Sequence, residues 1–98
     1  MPNTLVIDAS DNVATALEPI AAGTAVRVQA GGGTTEIVVR DDIPYGHKFA
    51  LAAIANGTPV RKYGANIGNA LNDIGLGEHV HIHNVAGARL RGHAATGS

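Results

Sequence analysis

The stretch Ala50-Leu51-Ala52-Ala53-Ile54-Ala55-Asn56-Gly57-Thr58-Pro59-Val60 decides the fold, because its pattern A-L-x-x-I-x-x-G-x-x-V occurs three times in the 98 residues. The other two copies run from Ala16 to Val26 and from Ala70 to Val80. Self-similarity of this kind predicts one small structural unit that is repeated along the chain. That unit has to suit all three copies.

The spacing of Ala, Leu and Ile would also suit one face of a helix, but the first copy carries Pro19 within that helix. A proline at this place removes a hydrogen bond and clashes with the preceding turn. We therefore predict a strand that ends in Ala-Leu, a tight connection closed by Ile, a glycine with positive φ, and a new strand entered through Val. The glycines of the three copies are Gly23, Gly57 and Gly77.

The segments around the repeat also have the pattern of short strands. Thr4 to Asp8 and Asn12 to Leu17 are candidate strands, and Gly31-Gly32-Gly33 predicts a hairpin between Val26 to Gln29 and Thr34 to Arg40. The predicted fold class is all-β, a single compact domain of short strands over residues 1–85. Residues 86–98 have little to bury, and we expect a flexible C-terminal tail there.

Three of the five histidines alternate in the stretch His79-Val80-His81-Ile82-His83. Alternate side chains of a β-strand share a face, so this stretch predicts a row of imidazoles on one face, with Val80 and Ile82 in the core. Imidazole is the commonest metal ligand in proteins, which makes the row a candidate metal site. The alternative is a polar face that only keeps the strand soluble.

The repeat provides an internal comparison for these histidines. The matching positions in the other copies hold unrelated residues, namely Pro59, Arg61 and Tyr63 in one and Ala25, Arg27 and Gln29 in the other. The scaffold therefore does not require histidine, and the comparison favours a functional role. Neighbours on a strand lie about 6.5 to 7 Å apart at Cα, so we expect two of the three to converge on one ion, with His81 common to either pair. His47, on another segment, is a further candidate donor.

Basic residues form two further candidate sites. Lys48 follows a Pro-Gly corner together with His47, and such a loop suits a substrate carboxylate, although an ordinary turn explains it equally well. Arg61-Lys62 is a second basic cluster, for which solvated charge is the usual explanation.

Composition excludes several classes of function. A net charge of −1 and only three aromatic residues leave no basic surface or stacking platform for nucleic acid. No uncharged run is long enough to span a bilayer and no signal segment is visible, so we expect a cytoplasmic protein without membrane contact. The absence of cysteine limits any metal site to nitrogen and oxygen ligands. Because the chain lacks a complete set of catalytic groups, we expect another polypeptide to supply part of any active site.

Three motifs in fixed order carry a family resemblance: G-H-K-F-A-L-x-x-I-x-x-G from Gly46, K-Y-G-x-x-I-G-x-A-L-x-D-I from Lys62, and G-E-H-V-H-I-H-N from Gly77. Together they resemble the N-terminal domain of the altronate dehydratase family, which is similar to the SAF domains with their β-clip fold. In that family the domain is fused ahead of a large catalytic domain or forms a separate small subunit. The chain ends soon after the third motif, so it looks like the small subunit or an excised domain.

The resemblance implies a carbon-oxygen lyase (hydro-lyase) subunit that is inactive alone and that removes water from a hexonate or hexarate together with a large catalytic subunit. It implies a divalent metal, Fe²⁺ first and Mn²⁺ or Zn²⁺ as alternatives, that acts as a Lewis acid. The metal ligands would be His79, His81 and His83. His47 and His81 would act as catalytic groups, and Lys48 and Lys62 would bind the acidic sugar. The sequence is also compatible with a homo-oligomer.

Two alternatives remain at this point. The first is the small subunit of a sulfolactate sulfo-lyase, because a relative of that kind uses the same scaffold. The second is a non-catalytic module that binds acidic carbohydrate, as the resemblance to antifreeze-like domains suggests.

Overall fold

Nine short β-strands and no helix make up the part of the chain that the structure, a computed structural model, describes: residues 3–6, 10–30 and 33–87. The strands are β1 (Thr4–Leu5), β2 (Val13–Ala16), β3 (Ala25–Ala30), β4 (Gly33–Val38), β5 (Lys48–Ala50), β6 (Pro59–Lys62), β7 (Ala65–Ala70), β8 (His79–Val80) and β9 (Val85–Gly87). The predicted all-β class is confirmed. These residues contain no helix long and apolar enough to cross a membrane.

The strands form three antiparallel sheets. One has the order β1-β2-β5-β8, the second is the hairpin β3-β4, and the third has the order β6-β7-β9. The hairpin predicted around the glycine run is confirmed, since β3 and β4 pair from Ala25 opposite Val38 to Ala30 opposite Gly33.

The repeat forms the corners that join these sheets. Its isoleucines are buried, and Ile54 pairs with Ile74 through two backbone hydrogen bonds of 2.8 Å. The glycines take positive φ, and the Gly57 and Gly77 N–H groups donate to the first carbonyl of each other's copy, at Ala70 and Ala50. The predicted unit is therefore confirmed, and its copies pair as nearly symmetric partners.

The first copy pairs with a fourth copy that the sequence pattern did not identify. This copy runs from Val39 to Phe49, where Ile43 pairs with Ile20 and Gly46 has φ +82°. Its first, second and last residues are Val, Arg and Phe instead of Ala, Leu and Val, so it does not match the pattern letter by letter. It places His47 next to the start of β5.

Two hydrophobic clusters cover opposite faces of the four-stranded sheet. Phe49 belongs to one cluster, and its neighbour in β5, Ala50, belongs to the other. In β2 the adjacent residues Val13 and Ala14 divide in the same way. Because successive side chains of a strand point to opposite faces, β2 and β5 lie between two cores.

The structure corrects the prediction for the histidine stretch. β8 ends at Val80, and residues 81–84 form a turn, so the three histidines do not lie along one strand. Val80 is fully buried as predicted, but the prediction that Ile82 belongs to the core is wrong, because it is 82% exposed at the tip of the turn.

The chain continues beyond this turn in a further strand. Ala86 and Gly87, which the sequence assigned to the tail, belong to β9 and pair with Asn69 and Gly68 of β7. The rest of the predicted tail, residues 88–98, lies outside the described residues.

Candidate metal centre

The pairing of β5 with β8 places His47 beside the histidine turn. Lys48 lies opposite Val80 and Phe49 lies opposite His79 in this antiparallel pair. The same register, continued by one residue, places His47 opposite His81. The His47 carbonyl accepts a 2.8 Å hydrogen bond from the N–H group of Ala16, which fixes this residue against β2 as well.

Asn84 holds the turn that follows β8. Its side-chain Oδ1 accepts a hydrogen bond of 2.9 Å from the His81 N–H group, and its Nδ2 donates one of 2.8 Å to the His79 carbonyl. The Asn84 N–H group also donates to the His81 carbonyl over 3.1 Å. Because Asn84 is only 5% exposed, these bonds are protected from water.

The imidazoles of His47, His79 and His81 lie together as a stacked group. His47 Nδ1 and His79 Nε2 are 2.9 Å apart, and the ring centroids of His47 and His81 are 3.8 Å apart with 12° between the ring planes. One nitrogen from each of the three residues lies within 4.8 Å of the others. We call these three residues the histidine group.

His83 lies at the edge of this group. Its ring centroid is 5.0 Å from that of His79, and the two planes are tilted by 34°. No His83 nitrogen belongs to the set that lies within 4.8 Å, whereas His47 does belong to it. The structure thus brings together His79 and His81 from the predicted metal ligands, and it places His47, the further candidate donor, with them instead of His83.

Burial and mutual repulsion favour the neutral form of His79 and His81. Burial lowers the pKa of His79 below its ordinary value of 6.5, and the charges of His83, His47 and His81 lower it further, against an opposing effect of Asp41. Burial also lowers the pKa of His81, and His47, Lys48 and His83 add to this effect. Neutral imidazole is the form that binds a metal, so little proton competition is expected at neutral pH.

A divalent metal fits these three residues. His81 Nδ1 is buried and has no hydrogen-bond partner, and a buried nitrogen without a partner is costly unless a ligand satisfies it. Imidazole donors suit Zn²⁺, Fe²⁺, Ni²⁺ and Cu²⁺. Three protein ligands would leave further coordination positions for water or substrate, as catalytic metal sites do.

Among the described residues, Lys48 and Lys62 form no ion pair with a carboxylate. Lys48 is half-buried opposite Thr15 in β2, and burial, followed by the charge of Lys62, lowers the pKa of its ammonium group. Lys62 lies with its Nζ 4.8 Å from the ring centroid of Tyr63. Within residues 3–6, 10–30 and 33–87 the one ion pair is formed elsewhere, by Arg40 and Glu78. A positive charge that is partly desolvated and unpaired suits an anionic ligand.

Two residues that position the histidines were not identified from the sequence. Asn84 builds the turn, and Asp41 accepts a 2.9 Å hydrogen bond from the His79 N–H group through its Oδ2. Asn readily forms such local turns, so its place directly after the last histidine was an available signal. Asp41 lies 38 residues before His79, and no local pattern reveals that contact.

The comparison with protein families agrees with this fold. The family described as altronate/galactarate dehydratase SAF domain matches residues 2–88. The chain belongs to this family.

Individual relatives are of two kinds. Altronate dehydratase of Escherichia coli (strain K12) is 51% identical over 78 residues, which cover 80% of this chain and 15% of that protein. Altronate dehydratase of Bacillus subtilis (strain 168) is 44% identical over 84 residues, 86% of this chain and 16% of that protein. The (2R)-sulfolactate sulfo-lyase subunit alpha of Chromohalobacter salexigens is 46% identical over 52 residues, 53% of this chain and 55% of that subunit. The chain thus matches only about a sixth of the altronate dehydratases.

Proposed function

We propose that this chain is the SAF-domain subunit of a sugar-acid dehydratase of the altronate dehydratase type, and that it completes the active site of a separate large catalytic subunit. The observation that carries the proposal is the histidine group, in which three imidazoles from two segments share one site. The identity of 44–51% to altronate dehydratases supports the class of substrate. We infer that the large partner would be the counterpart of the remaining length of these relatives.

We assign the metal to the histidine group, with Fe²⁺ first and Mn²⁺ or Zn²⁺ as alternatives. When bound, such an ion would polarise the substrate carboxylate or the leaving hydroxyl group as a Lewis acid. His47, His79 and His81 would hold it, and the ring of His83 lies close enough to His79 to support that ligand. When the ion is held by His79 and only one of the other two imidazoles, the remaining one, that of His47 or His81, would hold the proton that the leaving hydroxyl group requires.

Lys48 and Lys62 would bind the negative end of the substrate. The two ammonium groups interact electrostatically with each other, and Lys48 also interacts with His81, so the anion site adjoins the histidine group. A carboxylate there would gain two cationic partners and relieve their mutual repulsion. This arrangement suits a hexonate or hexarate, which carries its carboxylate next to hydroxyl-bearing carbons.

A second candidate function is the small subunit of a sulfolactate sulfo-lyase. The observation that favours it is the match to the sulfo-lyase subunit alpha, of which this chain covers more than half. Its substrate is also an anion, so the same lysines and histidines would serve. The two candidate functions differ in the leaving group, which is water in the dehydratase and sulfite in the sulfo-lyase.

Reconstitution with a large catalytic chain of the altronate dehydratase type, prepared without its own SAF domain, tests the proposal. The isolated 98-residue chain should not turn over altronate, whereas the mixture with the large chain and Fe²⁺ should release water from it. The variant His81→Gln should abolish that activity while Ile82→Ala, at the exposed position next to it, retains it. Release of sulfite from sulfolactate, with altronate unchanged, would establish the second candidate. Turnover of altronate by the isolated chain would refute the division into two subunits.

A further inference from the structure

Asn84 makes the same set of contacts in the third repeat copy that Asn12 makes in the second. The Asn12 side chain donates from Nδ2 to the Pro59 carbonyl over 3.0 Å, and its Oδ1 accepts a 2.7 Å bond from the Arg61 N–H group. Its own N–H group donates to the Arg61 carbonyl over 3.2 Å. In the repeat, Pro59 and Arg61 occupy the positions of His79 and His81. Both asparagines therefore hold the same two backbone positions.

The equivalence extends to a fourth hydrogen bond. The carbonyl of Asn12 accepts from the Leu51 N–H group over 2.9 Å, and the carbonyl of Asn84 accepts from the Leu71 N–H group over the same distance. Leu51 and Leu71 are the second residues of their copies. The four bonds thus form one device, which we call the asparagine clamp, that occurs twice in the fold.

Only one of the two clamps carries imidazoles. The Asn84 clamp fixes the backbone on both sides of Val80, and therefore the separation of the Cα atoms of His79 and His81. We propose that Asn84 is a positioning residue for the histidine group and sets the spacing of two of its three donors. This inference rests on the metal role proposed above. The Asn12 clamp has the same bonds but holds Pro59 and Arg61, so it provides a matched control.

The Asn84 clamp spans the end of β8, so it holds His79 in the strand and His81 in the turn that follows. A flat strand would separate the Cα atoms of His79 and His81 by about 6.5 to 7 Å. In the structure their rings are nearly parallel, with 7° between the planes and 5.8 Å between the centroids. The turn at residues 81–84 brings His81 over His47, with 3.8 Å between ring centroids. Without the Asn84 side chain, both the His81 N–H group and the His79 carbonyl lose a buried partner.

Titration of Zn²⁺ into the full 98-residue chain tests the inference, with calorimetry as the measurement. Asn84→Ala should weaken Zn²⁺ binding by about 10- to 100-fold, which is the usual effect of removing a group that orients a ligand. Asn84→Asp keeps the acceptor for His81 but not the donor for His79, so its loss should be intermediate. Asn12→Ala should leave the affinity within about twofold of the wild type, although it removes the same number of bonds.

A second measurement, on the metal-free chain, separates this inference from the proposed function. Asn84→Ala should shift the imidazole NMR signals of His47, His79 and His81, and Asn12→Ala should not. If the wild type binds no Zn²⁺ but its ring signals respond in this way, the metal site is refuted and the positioning role stands. If Asn84→Ala changes affinity and ring signals no more than Asn12→Ala does, Asn84 is a structural residue only and the inference is refuted.

Discussion

The substitution Gly77→Ala should destabilise the fold far more than Gly57→Ala, although the two glycines occupy the same place in paired copies. Their φ angles are +81° and +83°, and each N–H group donates to the first carbonyl of the partner copy. The surroundings differ. A Cβ atom at Gly57 would meet nothing within 4 Å, whereas one at Gly77 would lie 2.5 Å from the Val38 carbonyl oxygen and 3.3 Å from the Cα atom of Val39.

Two costs determine how much each variant loses in stability: the left-handed φ angle and the contact of the added Cβ atom. The left-handed conformation costs an alanine about 1–2 kcal/mol, and this cost applies to both variants. The contact with the backbone at Val38 adds about 1–3 kcal/mol to Gly77→Ala, as overpacking of a filled site does. The backbone there cannot shift freely, because the Val39 N–H group and carbonyl are both hydrogen-bonded, to Thr24 and Gly23. The expected difference between the variants is about 2 kcal/mol.

Thermal unfolding followed by circular dichroism, with urea unfolding beside it, measures this difference. For a domain of this size about 2 kcal/mol corresponds to roughly 8–16 °C in the midpoint. Gly57→Ala reports the cost of the φ angle alone, so the comparison isolates the contact with β4. Equal losses in the two variants would refute the assignment of Gly77 to a close contact. Failure of Gly77→Ala to fold, with Gly57→Ala folded, would agree with it.

Three further predictions concern the histidine turn and its surroundings. Val80→Ala should lower the free energy of unfolding by about 2 kcal/mol in urea, since Val80 is fully buried, whereas the exposed Ile82→Ala should change it by less than about 0.5 kcal/mol. The folded-state pKa values of His79 and His81 are lowered, so their contribution to stability is complete above about pH 6.5 and is lost as the pH falls through the folded-state values. The double variant His79→Gln, His81→Gln should therefore show a flatter dependence of the thermal midpoint on pH between about 7.5 and 5. An unchanged slope would contradict the lowered pKa values of the two histidines. Lys48→Gln should raise the KM for altronate in the reconstituted enzyme without lowering the thermal midpoint, because it removes a half-buried charge that has no carboxylate partner among the described residues.

The corners of the fold were predictable because they are local. In each copy the buried Ile and the positive φ of the glycine depend on residues a few positions apart, so the pattern alone predicted them. Pro19 excluded the helix by an equally local effect, because a proline within a helix removes a hydrogen bond and clashes with the preceding turn. The pattern did not identify the fourth copy because the ends of a corner require buried residues and do not require Ala and Val in particular. Val39 and Phe49 meet that need as well as Ala and Val do.

The histidine turn was predicted less well, because its shape depends on contacts that alternation does not encode. Alternation of apolar and polar residues predicted a strand through His83, and it holds as far as Val80. Beyond that residue the chain turns, and Asn84 bonds back to the His81 N–H group and the His79 carbonyl. Ile82 is consequently directed to solvent. His47 joins the group through the pairing of β5 with β8, a long-range register that a single sequence does not define.

The division between scaffold and chemistry in this domain can be followed residue by residue. The buried isoleucines, the positive-φ glycines and the bonds of the asparagine clamp all occur in copies that have no histidine, so they belong to the scaffold. The imidazoles of His79 and His81 replace Pro59 and Arg61 on the same clamped backbone, and His47 lies in the one copy whose glycine precedes β5. Apart from the pH-dependent contribution of His79 and His81, we therefore expect stability to reside in residues other than those proposed to bind the metal. Changes of the histidines should alter the chemistry and leave the fold in place, which is the behaviour expected of a site carried by a repeated scaffold.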